Sequence, residues 1–239
     1  MSRPTFAFLA LEEHPYARVM LDQLLGAGFV PSLVVQEASD VAEVERDKFL
    51  ERMAGHDLPG PIADQLRGLD VEEHSVAKHS SDSVLGLVDG RPLDLVVLGG
   101  TRILRGPLLD YPAHGVINSH PGLLPDCRGS ASPAWSVLHD IPVGSTTHFC
   151  DNGIDTGDVL LRRAMEVRRG MTYEDLCYGT TLIAGELMRE ALQAFVAGRW
   201  PELRHPQGES PWPTFKNAPP EVIDKVRNKL QEESYVHYA

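Results

Sequence analysis

The usual phosphate cradles are missing from this chain of 239 residues. No G-x-G-x-x-G or G-x-x-x-x-G-K-[ST] run occurs, and the turn after the first apolar segment reads LEEHPYA, residues 11 to 17, without a glycine. Glycine lets a backbone come close to a pyrophosphate, so a dinucleotide or nucleoside triphosphate bound in the standard way at that turn is disfavoured. Cysteine is scarce: Cys127, Cys150 and Cys177 are widely spaced with no C-x-x-C pair, which argues against a disulfide frame or zinc knuckle and suits small buried hydrophobes. The ten histidines fall into no H-E-x-x-H or similar spacing, so no metal is expected. Positive charge is short, with 22 Lys and Arg against 34 Asp and Glu for a formal charge of −12. That field repels phosphate backbones and anionic membranes, and no nucleic-acid partner is expected, although a local basic patch stays open. No apolar run approaches the length of a bilayer, and MSRPTFAFLALEEHP carries two glutamates where a signal peptide needs small residues, so a cytoplasmic protein with no membrane partner is expected.

What is present is an ordinary globular composition, 42% hydrophobic and 23% charged, in a chain long enough for one good core and an appendage. The expected division is a main domain over 1–197 and a C-terminal extension over 198–239. TFAFLAL reads as a strand, PYARVMLDQLLGAG as a helix ended by glycine, and FVPSLVVQ as the next strand. The charged region 38–69 reads as helical and partly irregular; VEEHSV follows as a short strand, then a helix opened by Ser80 or Ser81. LDLVVLGG is a continuous apolar run closed by glycines, the pattern of a strand buried on both faces. This alternation indicates an α/β fold, a doubly wound and mostly parallel sheet. Further on, SPAWSVLHD reads as a short helix, STTHFC and DVLLRRAMEV as strands, and Thr172 with Asp175 as a cap opening a long helix to about Ala197. PPEVIDKVRNKL reads as a last helix, whose apolar positions would allow a homodimer.

Sheets of this class bind ligands beyond the carboxyl ends of their strands. Three segments fall at such places: GGTRILRGPLL, NSHPGLLP and the tight loop DNGIDTGD. Asn118 and His120 lie two apart at the end of the strand HGVI and share a face. Pro121 and Pro125 cannot extend the ladder, so the chain leaves the sheet as a stiff loop. An amide N–H can stabilise an oxyanion, an imidazole can do the same or move a proton near neutral pH, and a carboxylate can orient the imidazole or receive a proton. That set suits acyl transfer to an amine without a serine or cysteine nucleophile.

The run Asn118-Ser-His120-Pro121-Gly-Leu-Leu-Pro125, followed by His148-Phe149 and then Ile154-Asp155-Thr156-Gly157, resembles the folate-dependent formyltransferases, and GGTRILRGPLL resembles the loop that lines their pterin pocket. The likeness runs from about residue 93 to 170 and implies a Rossmann-like catalytic domain. It makes Asn118, His120 and Asp155 the catalytic trio, with His120 protonated and Asp155 helping to keep it so. It gives Arg102, Ile103 and Leu104, with Asp151, Asn152, Gly153 and Ile154, the role of holding the pterin of N10-formyltetrahydrofolate, largely through backbone groups. The partner implied is a small-molecule amine.

Residue by residue, simpler readings stand beside these. A lone His120 is more often structural, Asp155 is an ordinary turn residue, His148 suits a packing role beside the loop as well as a place in the site, and Trp135 suits a structural cover. His120, His148 and Asp155 are also suitable ligand types for a metal, though their spacing does not favour one. Arg102 could reach the acidic tail of a folate, with Arg105 simply solvated.

For the acceptor, the missing glycine loop weakens a glycinamide ribonucleotide, and the short extension and acidic balance weaken a methionyl-tRNA. The stretch 129–161 most resembles the stand-alone sugar N-formyltransferases, which act on a nucleotide-linked amino sugar. The alternatives are another small amine, hydrolysis of N10-formyltetrahydrofolate with water as acceptor, and a non-catalytic folate-binding protein.

Overall fold

The computed structural model describes residues 2–239. Its centre is a seven-stranded sheet in the order β3-β2-β1-β4-β5-β6-β7, formed by β1 (Phe6–Leu11), β2 (Leu33–Glu37), β3 (Glu72–Val76), β4 (Leu95–Leu98), β5 (Val116–His120), β6 (Gly144–Phe149) and β7 (Val159–Ala164). The first five strands run parallel, while β6 pairs antiparallel with β5 and β7 with β6. The doubly wound, mostly parallel α/β sheet expected from the alternation is the one found; the reversal at β6 was not legible in it.

Alternation along β1 separates two cores. Phe6, Phe8 and Ala10 point to one face, where α1 (Pro15–Gly26) and α6 (Tyr173–Val196) bury Ala17, Met20, Leu24, Ala184 and Met188. Ala7 and Leu9 point to the other, against α4 (Ser81–Val88) and a 3-10 turn at Pro107–Asp110. Burial on both faces explains why β1 and β4 carry unbroken apolar runs. Helix α6 begins where the sequence places its cap: Thr172 and Asp175 exchange side-chain and backbone hydrogen bonds as a capping box, at 3.2 Å and 2.7 Å. Helix α4 is capped in the same way by Ser80.

Between β2 and β3 lie α2 (Asp40–Arg52) and the single turn α3 (Ile62–Gln65). Only Ala42 of α2 is fully buried. The segment after 198 opens with the single turn α7 (Trp200–Leu203) and docks closely on the preceding residues. Helix α8 (Pro220–Gln231) buries Val226 and Leu230 with Ala134 and Val137 of α5 (Ser132–Leu138). His205 and Val159 exchange backbone hydrogen bonds at the edge of β7, and Phe215 pairs with the backbone of Arg128 and Ser130. Trp135 stacks on Phe215 at 5.1 Å and donates to the Lys216 carbonyl at 2.8 Å, so it braces the extension. No helix among the described residues is long and apolar enough to cross a membrane.

Candidate active site

Strand β5 ends on His120, and the register of the antiparallel pair sets His148 directly opposite Asn118. Their polar heads meet, with Asn118 Nδ2 3.3 Å from His148 Nε2. The loop after β6 then folds back over both. Asp151 shapes it by accepting from Gly153 N at 2.9 Å and from the Thr156 hydroxyl at 2.6 Å. Gly157 packs so closely on the Phe149 carbonyl that a Cβ would collide with it. Asp155 occupies the left-handed region at φ 52°, an unusual place for a side-chain-bearing residue, and this turns its carboxylate inward.

Asp155 Oδ2 lies 3.5 Å from His120 Nδ1, and Oδ1 lies 3.6 Å from His148 Nε2. The Gly129 N–H donates to the same carboxylate at 2.8 Å. On the far side of the ring, His120 Nε2 donates to the Cys127 carbonyl at 2.7 Å and lies 3.0 Å from Ser132 Oγ. A carbonyl can only accept, so this network assigns the hydrogen of the neutral ring to Nε2 and leaves the Nδ1 lone pair facing Asp155. Burial holds His120 below the usual imidazole range, and the nearby Asp155 charge offsets only part of that. Burial thus works against the charged His120 that the resemblance implies. Burial by itself would raise Asp155, but the positive charge that the two histidines can carry and the Gly129 N–H outweigh it and hold the carboxylate below its usual range. Tyr16 adds support from α1, its hydroxyl donating to the Ser119 carbonyl between the two strand residues. An ionised acid, an imidazole with a free lone pair and an amide N–H thus share one buried corner, able to take up a proton and to offer an N–H to a developing oxygen charge.

This geometry agrees with the sequence comparison, in which the Formyl transferase family matches residues 64–192, more than half of the chain. The chain belongs to the formyl transferase family. The methionyl-tRNA formyltransferase of Anaeromyxobacter sp. (strain K) is 44% identical over 108 residues, covering 45% of this chain and 35% of that protein. The chain spans between 32% and 56% of the length of such curated relatives. Among solved structures, a 4-N formyltransferase from Francisella tularensis shares the fold with a TM-score of 0.64 at 15% identity, over 96% of this chain and 88% of that one. The formyltransferase PseJ from Anoxybacillus kamchatkensis, in complex with UDP-4,6-dideoxy-4-formamido-L-AltNAc and tetrahydrofolate, has a TM-score of 0.55 at 19% identity over 89% and 85% of the two chains.

In this chain the corner opens into a cavity of about 940 Å³ that is lined from both faces of the sheet, which divides it into two arms. One arm lies on the α4 side of the sheet, between the loop after β4 and the loop after β6. Leu98, Leu104 and Cys150 form its apolar floor. Among the described residues, the main chain of Arg102, Ile103 and Leu104 makes no backbone–backbone hydrogen bond, so its donors and acceptors stay available above that floor. Ile103 stands 58% exposed at the rim, Leu104 is buried, and Asp151, Gly153 and Ile154 line the opposite wall. Asn152 turns away and accepts from Gly106 N at 3.4 Å. The Arg102 guanidinium is held at 3.1 Å by Glu37, a fully buried carboxylate that also accepts from His79 N at 2.8 Å. Arg102 is therefore a strut for its own loop. The second arm lies on the α1 and α6 side, lined by His14, Phe49, Arg52, Tyr173, Thr180 and Thr181.

Sequence reasoning gave His148 no more than an even place in the site, although pairing STTHFC against HGVINSH would have set it beside Asn118. It missed Gln207 altogether. From the extension, Gln207 Nε2 donates to the Asp155 carbonyl at 2.8 Å and the Gly157 carbonyl at 2.7 Å, while Arg128 holds its Oε1 at 2.8 Å and 3.1 Å. No local signal marks that residue. Among the described residues no group of three or more His, Cys, Asp or Glu is arranged to hold a metal ion.

Proposed function

We propose that this protein transfers a formyl group from N10-formyltetrahydrofolate to the primary amine of a small molecule, a nucleotide-linked amino sugar being the acceptor favoured. The convergence of Asn118, His120 and Asp155 at the junction of the two arms carries this reading. The donor arm suits a pterin: a flat heterocycle with alternating donors and acceptors matches open main chain above an apolar floor. N10-formyltetrahydrofolate supplies the formyl carbon, and tetrahydrofolate is the leaving group.

Asn118 directs an amide N–H at the formyl oxygen as charge develops on it. His120 Nδ1, whose lone pair faces the corner when the ring is neutral, takes the proton released by the attacking amine, and Asp155 stabilises the imidazolium so formed. His120 then returns that proton to the departing folate nitrogen, so the ring ends as it began. His148 keeps Asn118 and Asp155 in register.

The sequence identity to methionyl-tRNA formyltransferases favours a second acceptor, a charged tRNA. The charge of −12 over this sequence weighs against it, because an acidic surface repels a phosphate backbone. The test is to supply N10-formyltetrahydrofolate with a panel of acceptors, including nucleotide-linked amino sugars and methionyl-tRNA, and to identify products by mass. A formamide on an amino sugar is the expected product. Formate alone would make the protein a hydrolase, and formyl-methionyl-tRNA would establish the second reading.

A further inference from the structure

The second arm of the cavity contains a cation without an ion-pair partner among the described residues. Arg52, the last residue of α2, is half-buried in a strongly acidic protein, yet it has no carboxylate partner among the described residues. Its recorded contact is with a ring, the guanidinium lying 5.5 Å from the centre of Phe49. Phe49 in turn packs against His14 with ring centres 4.4 Å apart, so Phe49 links Arg52 to the first residues beyond β1. His14 cannot serve as a competing cation. Burial, with Arg52 and Arg46 adding to it, pushes its pKa down to about 3.

A second, independent observation comes from α6. Tyr173 is 2% exposed and lines the same arm, and its buried hydroxyl has no hydrogen-bond partner among the described residues. The Cys177 thiol one turn on is close enough to offer it a weak contact only, since sulfur is a poor acceptor. A buried hydroxyl without a partner costs stability unless something else completes it. Thr180 and Thr181, further along the wall, spend their hydroxyl hydrogens on the helix carbonyls of Leu176 and Cys177. Arg52 and Tyr173 are thus two donors, one charged and one neutral, that line the cavity without a hydrogen-bond partner among the described residues.

The geometry points to an anion subsite for the amine acceptor, in which Arg52 and the Tyr173 hydroxyl bind a phosphate or diphosphate carried by that substrate. This rests on the formyl-transfer reading and deepens it by assigning the acceptor's anionic group to side chains of α2 and α6. A guanidinium pairs with phosphate oxygens through two parallel N–H bonds, which fixes orientation as well as affinity. Such a contact holds the far end of the substrate while its amine reaches the corner at Asn118 and His120. It also replaces the phosphate loop that LEEHPYA cannot form, since neutral His14 and buried Tyr16 occupy that turn.

The test measures binding of UDP, dTDP and inorganic pyrophosphate, and separately of tetrahydrofolate, to the wild-type protein, Arg52→Gln and Tyr173→Phe. The wild type should bind at least one of the phosphate probes. Arg52→Gln should weaken that binding about tenfold or more and Tyr173→Phe by a smaller factor, with tetrahydrofolate affinity unchanged in both. Retained tetrahydrofolate binding also shows that each variant is folded. The proposal is overturned if no phosphate probe binds the wild type, or if the variants bind the probes as tightly as it does. It is equally overturned if Arg52→Gln weakens tetrahydrofolate instead, since the anion would then be a carboxylate of the folate tail. Failure of the wild type to bind tetrahydrofolate would count against the formyl-transfer reading itself, a separate result.

Discussion

The two arms of the cavity are built in different ways. The arm assigned to the folate is made by two short, continuous stretches, 101–104 and 151–154, offering main chain above an apolar floor. The other is made by side chains from His14, Phe49, Arg52 and Tyr173, which come from the end of β1, from α2 and from α6. Main chain tolerates changes of side chain, so the first arm can serve a common donor. Dispersed side chains can each be exchanged, so the second can be fitted to a particular acceptor. The difference explains why family membership is legible from motifs while the acceptor is not.

The strongest way to break the comparison is at the junction both arms share. Asn118→Ala, His120→Ala and Asp155→Asn should each cut the rate of formyl transfer by roughly 100-fold or more, with little change in the binding of either substrate. A loss confined to KM would mean the trio binds and does not catalyse. Next comes Gln207→Ala, which releases the carbonyls of Asp155 and Gly157. We expect kcat to fall about tenfold as Asp155 loses its fixed position, at a cost of about 1–2 kcal/mol in stability. Unfolding curves and rates on the same sample would separate the two effects. An unchanged kcat would show that the extension only stabilises.

The folate arm alone is probed by Glu37→Gln, which loosens the Arg102 strut. Arg102 is partly exposed, so the effect is modest: KM for formylfolate should rise by a factor of about 3 to 10 while KM for the amine stays put. A matching rise in both would deny that the arms are separate. The smallest effect is on acid stability. His14 binds a proton more weakly folded than unfolded, so its contribution is full above pH 6.5 and is lost as pH falls toward about 3. His120 shifts in the same direction. Melting temperature should therefore decline steadily below pH 6.5, and His14→Gln should flatten part of that slope.

Much of the fold was legible because its signals are local. The apolar runs at β1 and β4, the Thr172 and Asp175 cap and the prolines after His120 each act within a few residues. Asn118, His120 and Asp155 were legible as candidates because they occur in recognisable order. What stayed hidden depends on pairing across the chain: the antiparallel register that brings His148 to Asn118, the Glu37 partner of Arg102, and Gln207 reaching in from the extension. The downward shift of His120 belongs here too, since burial is its main cause and burial has no local signature.

By itself the sequence determined the sheet, the two motif loops and the identities of the amide, imidazole and acid, because hydrophobic period, caps and turn residues operate over one or two turns of chain. Only the tertiary structure decided that burial pulls His120 below the usual imidazole range, that Arg52 stands unpaired over Phe49 and that the Tyr173 hydroxyl is left without a hydrogen-bond partner. Those are properties of an environment, and an environment exists only once segments far apart in the chain have excluded water together.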